Sequence, residues 1–341
     1  MTSAQLDVTL GGQLQTCLQE ALDGQSVRLA RQEQLKANVH RLGVVIDGWE
    51  RMLIVKWSDP VVARRSRLVA CRWLPAVGLG DLGPPLLTVA AERNGEGAWQ
   101  IYEDLPGKPL STEQPVVGEV EAVIDAIARV HTSFAEHPLL RECRLWGGDR
   151  GIHFYSANVH DAVIALHSLD LDLDRGDANA IAARDALLER MHLLEQEEPE
   201  RAQSLASAGG PDTLLHGDLW PTNAIVQSRS DGFSVRLIDW DEVAAGPSWY
   251  DVSTLMLRFD PSHRRWILDA YRQAVARLAD WPIPGDRDLN LIFETCAYAR
   301  LASLLVWSVA AAAEGDSGWL PERLAAMVEW LDAVRPVLPT P

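Results

Sequence analysis

The hydrophobic pattern of this 341-residue chain changes its period once, and that change constrains the fold more than any other feature. The first hundred residues hold short runs rich in β-branched residues, such as 39–46 and 52–55, and the Asp47-Gly48 dipeptide between them is a strong hairpin signal. From residue 116 onward apolar residues recur at helical spacing, as in 116–134. The sequence therefore predicts an α+β fold.

The change of period falls on a stretch of turn-forming residues, EDLPGKPL at 103–110. We therefore expect a small β-rich N-terminal lobe over 1–102, a hinge at 103–110 and a larger α-rich C-terminal lobe over 111–341. Within the helical part, only two short apolar runs read as strands, and they lie at 214–226 and 235–238.

Composition excludes several classes of function. The formal net charge of -17 argues against a nucleic-acid partner, because such binding needs Lys and Arg to neutralise phosphates. The four cysteines lie far apart, which favours a reducing, cytoplasmic location. Residues 1–12 lack the pattern of a signal peptide, and the apolar stretch 299–313 is interrupted by Arg300 and reads as a buried helix. We expect no membrane partner.

Polar side chains follow the two strand-like runs of the helical half. The segment LLHGDLWPTNAIV contains Asp218 and, five residues later, Asn223, and the second run ends in Asp239. If the two runs pair antiparallel, these oxygen-bearing side chains converge. Phosphoryl transfer needs a group that accepts the hydroxyl proton, here Asp218, and oxygen ligands for Mg²⁺, here Asn223 and Asp239. The alternative is that all three are ordinary turn residues, since Asp and Asn favour turns.

At these positions the sequence resembles the aminoglycoside phosphotransferase and choline kinase group, which shares the protein-kinase-like two-lobe fold. HGDLWPTN looks like the catalytic loop of that group, IDW at 238–240 like its metal-binding motif, and GPSWYDVSTL at 246–255 like the usual continuation. The resemblance implies that ATP and Mg²⁺ are cofactors, that Asp218 is the catalytic base, and that Asn223 and Asp239 bind Mg²⁺. It further implies that Asp251 braces the catalytic loop, although a helix N-cap is an equal alternative.

The resemblance extends to the first hundred residues. Lys56 ends a strand and matches the lysine that reaches the nucleotide phosphates, with a solvated edge residue as the alternative. The segment IYEDL resembles the inter-lobe hinge, so that Tyr102, Glu103 and Leu105 are expected to meet the adenine. His131, in ARVHTSF, is interpreted as a structural histidine.

Two departures from the family pattern stand out. The usual partner of the lysine is a Glu on the following helix, yet residues 60–80 contain no Asp or Glu. The expected phosphate-binding turn, 31–38, contains no glycine.

We predict an ATP-dependent phosphotransferase that acts on a hydroxyl of a small polar molecule, either aminoglycoside-like or an amino-alcohol or sugar. The alternative is a non-catalytic or weakly active nucleotide-binding homologue. Residues 141–210 are expected to contribute to the acceptor pocket. The acidic run at 169–177 could bind a polyamine, but a solvated loop is the better interpretation.

Overall fold

The computed structural model describes residues 16, 18, 19, 27–92, 95–171, 178–281, 284–315 and 318–338. The predictions made for the N-terminal twelve residues and for most of the acidic run 169–177 lie outside these residues. The strands are β1 Val27–Lys36, β2 Val39–Ile46, β3 Trp49–Ser58, β4 Leu86–Ala91, β5 Ala98–Glu103, β6 Lys108–Pro109, β7 Asp212–Leu215, β8 Ala224–Arg229, β9 Gly232–Leu237 and β10 Ala244–Pro247.

Of the α-helices whose bounds the structure describes, two lie before residue 110, and the others follow it. They are α1 Pro60–Leu68, α2 Leu74–Ala76, α3 Val117–Phe134, α4 Leu140–Gly147, α5 Ile152–His167, α6 Ala178–Ala208, α7 Trp249–Met256, α8 Pro261–Leu278, α9 Asp286–Glu314 and α10 Leu320–Val334. The chain divides into two compact units. The N-terminal unit is Met1–Leu110 with Thr222–Asp241, and the C-terminal unit is Ser111–Pro221 with Glu242–Pro341.

The N-terminal unit is built on an antiparallel sheet in the order β1-β2-β3-β5-β4. The predicted hairpin between β2 and β3 is confirmed, since Asp47 and Gly48 have φ of 50° and 87° and join strands paired from Val39↔Lys56 to Ile46↔Trp49. Positive φ at both turn residues matches the right-handed twist of the flanking strands. A buried cluster that includes Leu42 forms the core of this sheet.

A second sheet ties the segment 222–241 to the N-terminal unit. Its order is β6-β8-β9, with Lys108 opposite Val226 and Ala224 opposite Leu237. Gly107, at a φ of 123°, lies so close to this sheet that an added Cβ would stand 2.6 Å from the Val226 carbonyl oxygen. Asn223 and Asp239 flank the β8–β9 hairpin, and main-chain pairing with β6 holds this hairpin in the N-terminal unit.

The two strand-like runs pair antiparallel only in part: 224–226 of the first run lies in β8 and pairs with β9, whereas 214–215 lies in β7 and does not. β7, which precedes the HGD tripeptide, pairs antiparallel with β10, from Leu215↔Ala244 to Asp212↔Pro247. β9, which precedes Asp239, pairs with β8. Each run satisfies its backbone hydrogen bonds with the segment that the chain brings back next to it, and these segments belong to different units.

The C-terminal unit is helical, and α9 packs against α5, α6, α7 and α10. This helix is long and apolar enough to cross a membrane by length and composition, but 56% of its most apolar window is buried inside the protein. That burial agrees with the prediction of a buried helix at 299–313. Together, the small antiparallel N-terminal region and the helical C-terminal region confirm the predicted α+β fold.

Candidate active site

The loop that carries Asp218 has a shape that depends on glycine. Gly217 has a φ of 82°, and a Cβ added there would stand 1.8 Å from the Glu242 carbonyl oxygen. After Asp218 the chain turns tightly, since the Trp220 N–H donates to the Asp218 carbonyl at 2.8 Å. The carboxylate of Asp218 is on a half-buried residue next to the fully buried Leu219. The HGD tripeptide is therefore a constrained turn that presents one acid.

Asp251 holds this turn from behind. It is fully buried, and its carboxylate accepts hydrogen bonds from the His216 N–H at 2.7 Å and the Gly217 N–H at 2.9 Å. Asp251 lies in the first turn of α7, whose N-cap is Ser248. The bracing interpretation is therefore confirmed and the N-cap alternative is wrong.

His131 is part of the same buried support. Its Nε2 lies 3.2 Å from Asp251 Oδ2, and its Nδ1 lies 2.8 Å from the Tyr271 hydroxyl. The Thr213 hydroxyl donates to the His131 carbonyl at 2.6 Å, which ties α3 to β7. The histidine is fully buried and makes structural contacts, as the sequence interpretation expected.

Lys56 finds its acidic partners in the N-terminal unit, on the segment after β9. Its ammonium donates to Asp239 Oδ1 and, at 2.6 Å, to Asp241 Oδ2. Burial by itself would lower the pKa of Lys56, but the two carboxylates outweigh burial and raise that pKa above its ordinary value. The lysine is only 14% exposed, so the solvated-edge alternative is wrong.

These contacts explain the absence of an acidic residue on the helix after Lys56. Asp241 supplies the second carboxylate, and sequence reasoning missed it. The signal was available as the two acids of the DWD tripeptide at 239–241, which flank the buried Trp240. In the same unit Arg65, on α1, lies with its Nη1 3.5 Å from the Asp241 carbonyl oxygen, so the arginine-rich helix faces this acidic segment.

Asn223 and Asp239 lie on adjoining chain segments of the N-terminal unit. The Ile238 N–H donates to the Asn223 carbonyl at 2.9 Å, directly before Asp239, which has a φ of 65°. A non-glycine residue in this region of φ is uncommon and is found at functional sites. Among the described residues, no group of three or more His, Cys, Asp or Glu side chains is placed so that it could hold a metal ion.

The donor set nevertheless fits Mg²⁺. One amide and the carboxylates of Asp239 and Asp241 are hard oxygen ligands, and Mg²⁺ at nucleotide sites takes one or two carboxylates together with phosphate and water. These residues would hold the ion, which would supply charge neutralisation for phosphate groups.

The turn between β1 and β2 is short and contains no glycine, unlike a glycine-rich phosphate loop. The strands run to Lys36 and resume at Val39, so the turn itself is short. Asn38 closes it through a side-chain hydrogen bond of 2.9 Å to the Trp57 carbonyl. Lys36 is exposed and its ammonium lies 3.9 Å from Asp239 Oδ2. This turn, which contains no glycine, therefore brings a lysine ammonium near Asp239.

The residues expected to meet adenine lie at and after the end of β5. The Tyr102 hydroxyl donates to Gln100 Oε1 at 2.6 Å, and burial, together with Asp241 and Asp239, raises the pKa of this phenol. Glu103 forms an exposed ion pair of 2.6 Å with Arg51. The adenine contact of Tyr102, Glu103 and Leu105 stays a prediction.

The main-chain N–H groups of 103–105 differ in whether they already have a hydrogen-bond acceptor. The Glu103 N–H donates to the Pro85 carbonyl at 3.1 Å and the Asp104 N–H to the Met52 carbonyl at 3.1 Å. Within the part of the chain that the structure describes, the Leu105 N–H has no such acceptor. It is therefore the donor best suited to a base edge.

A cavity of about 850 Å³ in the C-terminal unit lies elsewhere. Thr132, Ser207, Trp281 and Asp288 are among the residues that line it, and none of the predicted site residues does.

Comparison with known proteins defines the class of this protein as a small-molecule phosphotransferase with the protein-kinase-like fold. A model of the Phosphotransferase enzyme family (APH) matches residues 70–288, more than half of the chain. The chain therefore belongs to that family, and the predicted resemblance is confirmed. A search of curated proteins finds no significant match.

Solved structures show the same fold at low sequence identity. Aminoglycoside phosphotransferase APH(3'')-Id from Streptomyces rimosus, in complex with ADP and streptomycin, is 19% identical, with coverage of 86% of this chain and 99% of that one and a TM-score of 0.54. Spectinomycin phosphotransferase APH(9)-Ia, in complex with ADP and spectinomycin, is 11% identical over 96% and 95%, with a TM-score of 0.57. Choline kinase from Cryptosporidium parvum Iowa II is 14% identical over 90% and 88%, with a TM-score of 0.53.

Proposed function

We propose that the protein transfers a phosphoryl group from ATP to a hydroxyl of a small polar molecule, with Asp218 as the catalytic base. The observation that carries the proposal is the Asp218 turn itself. A turn that only glycine can make, held by a buried carboxylate, keeps one acid in a fixed place. Structures of family members in complex with ADP support the use of a nucleotide.

Each residue has a distinct task in this proposal. Asp218 accepts the proton of the attacking hydroxyl, and Asp251 keeps the turn in position. Asn223 and Asp239 hold Mg²⁺, and Lys56 neutralises charge on the phosphates. The Leu105 N–H, with Tyr102 and Glu103, meets the adenine. Because Lys56 has Asp239 and Asp241 as partners, the observation that motivated a non-catalytic homologue no longer favours that alternative.

The acceptor in this proposal is an aminoglycoside-like compound or an amino-alcohol or sugar. We place the protein in the cytoplasm, and Cys71, Cys143 and Cys296 are free thiols, in line with a reducing compartment. Neither a nucleic-acid nor a membrane partner is part of the proposal.

The test is a screen for ADP release over a panel of aminoglycosides, amino alcohols and sugars, followed by the Asp218→Asn variant with the best acceptor. We expect this variant to lose about 10²- to 10⁴-fold in turnover, because a positioned general base contributes that much. Its thermal shift with ATP and Mg²⁺ should stay at the wild-type value, since Asp218 holds neither.

The matched control is Asp125→Asn, which removes an exposed carboxylate on α3 and should leave turnover unchanged. Full turnover in Asp218→Asn would disprove the base assignment. An ATP-dependent thermal shift without ADP release for any acceptor in the panel would favour the non-catalytic alternative.

A further inference from the structure

Two arginines of the C-terminal unit have guanidinium atoms that are buried without a hydrogen-bond acceptor. All three side-chain nitrogens of Arg300, on α9, each expose less than 1 Å² and find no partner among the described residues, and the same holds for Nε of Arg258, which follows α7. We call these two residues the arginine pair. Buried guanidinium groups are normally satisfied by carboxylate or carbonyl oxygens, so the pair needs an explanation.

The pair lies next to the Asp218 turn. Arg258 stacks on Trp220, with its guanidinium carbon 3.3 Å from the ring centroid, and the Trp220 N–H donates to the Asp218 carbonyl. The guanidinium carbons of both arginines lie 5.8 Å from the ring centroid of Trp330. Two cations thus share one indole and flank the loop that carries the proposed base.

The electrostatics of the pair are unfavourable without an anion. Burial and then the charge of Arg300 lower the pKa of Arg258 to about 10, and Asp218 offsets only part of this effect. Burial likewise lowers the pKa of Arg300, although Tyr250 and Asp218 act in the opposite direction. Indole rings attract cations through their faces but offer no lone pairs to the N–H donors.

A neighbouring arginine shows what a satisfied group looks like in this region. Arg150 forms an ion pair of 2.5 Å with Glu242 and lies 4.2 Å over the Phe154 ring. The positive charge of Arg150 also repels that of Arg300 and so contributes to lowering the pKa of Arg300. Arg150 thus has a carboxylate partner, whereas the described residues offer the three side-chain nitrogens of Arg300 no hydrogen-bond acceptor.

We propose that the acceptor carries an oxyanion group, a carboxylate or a phosphate, which the arginine pair binds while the acceptor hydroxyl meets Asp218. This assignment of acceptor class rests on the proposed function. The fork of guanidinium donors matches the two oxygens of such a group. Because the Arg300 nitrogens are screened from solvent, binding requires flanking side chains such as Trp330 to shift.

The first test measures binding without any nucleotide. Thermal unfolding of the wild-type protein is compared in sodium malonate, sodium phosphate, spermidine and sodium chloride at equal ionic strength. We expect malonate or phosphate to raise the midpoint by about 2–4 °C above the chloride value, and spermidine to have no such effect. A response to malonate indicates a carboxylate and a response to phosphate alone indicates a phosphate.

The variants Arg300→Met and Arg258→Met should each abolish that rise, and Arg300→Lys, which keeps the charge but loses the fork, should retain less than half of it. Arg129→Met, which removes an exposed arginine on α3, is the matched control and should respond as the wild type does. Equal rises in all variants, or stabilisation by spermidine instead, would overturn the proposal. A loss of the ADP-induced shift together with the malonate shift would assign the pair to nucleotide phosphates and overturn it as well.

The second test follows ADP release with a matched series: gluconate, glucose 6-phosphate, glucitol and glucosamine. We expect turnover to favour the anionic members, and Arg300→Met to lower kcat/KM for them at least 10-fold more than it lowers kcat/KM for neutral glucitol. A preference for glucosamine would contradict the acceptor class. Since malonate or phosphate binding needs no turnover, it can succeed where ADP release fails, which separates this inference from the proposed function.

Discussion

Two arginines lie at different points along α9, one packed against the helix and one part of it, and they differ in the number of hydrogen-bond acceptors around them. Arg201, from α6, is fully buried, and its guanidinium donates to Glu197, to the Thr295 hydroxyl at 3.0 Å and to the Leu291 carbonyl at 3.4 Å. Arg300, on α9 itself, has no acceptor for any of its three nitrogens among the described residues. One guanidinium beside α9 is therefore satisfied by acceptors, and the one on α9 itself is not.

Aromatic contacts do not separate the two sites. Arg201 lies 5.1 Å from the Tyr298 ring centroid, and Arg300 lies 5.8 Å from that of Trp330. What separates them is the supply of oxygen acceptors: Arg201 also approaches Glu294, whose carboxylate binds Arg335 at 2.8 Å. An arginine with a complete set of acceptors stabilises the fold, whereas one without acceptors is better suited to bind an anion from outside.

The largest expected effect concerns Arg201. Arg201→Met should lower the free energy of unfolding by about 3 kcal/mol, because it leaves the carboxylates of Glu197 and Glu294 without their buried partner. Urea unfolding at pH 7 measures this value, with Arg129→Met as the control at the surface. A loss below about 1 kcal/mol would remove the structural half of the comparison.

Much of the fold and part of the site were predictable from the sequence. The helix at 261–278 and the strand at 39–46 have the expected bounds, because strong periodicity and capping residues mark their ends locally. The HGD turn was recognised through the resemblance of HGDLWPTN to the catalytic loop of the family, and the structure shows that Gly217 is the residue this turn requires. Local pattern was sufficient at these positions.

Other features depend on which segments pair in three dimensions. Asp241 binds Lys56 across 185 positions of sequence, and the DWD tripeptide shows that a second acid is present but not that it meets this lysine. β7 pairs with β10 rather than β9 for the same reason. Arg201 and Arg300 both lie in helices with a similar pattern, so that only the structure shows which of them has acceptors.

An intermediate effect is expected on acidification. Burial would raise the pKa of Glu197, but hydrogen bonds and charges from Arg201 and then Arg335 outweigh it and lower that pKa below its ordinary value of 4.5. The stabilisation is thus fully present above pH 4.5 and is lost as the pH falls through the lower pKa of the folded protein.

Glu197→Gln should therefore cost about 1–2 kcal/mol at pH 7, less than the loss of Arg201, because Glu197 is 33% exposed. The difference between this variant and the wild type should shrink as the pH falls below 4.5, as urea unfolding at pH 7, 5 and 3.5 would measure. A difference that stays constant over this range would mean that the carboxylate charge is not what holds Arg201.

The smallest expected effect is the one that distinguishes the two arginines. Arg300→Met should change the free energy of unfolding by less than about 1 kcal/mol in chloride, in either direction, because the lost cation–π contact with Trp330 is offset by removal of a buried, unsatisfied charge. In malonate or phosphate the wild type should become the more stable protein, since only its pair binds the anion. If Arg300→Met instead costs as much as Arg201→Met in chloride, Arg300 has a structural role like that of Arg201, and the contrast between a structural and a ligand-binding arginine on α9 fails.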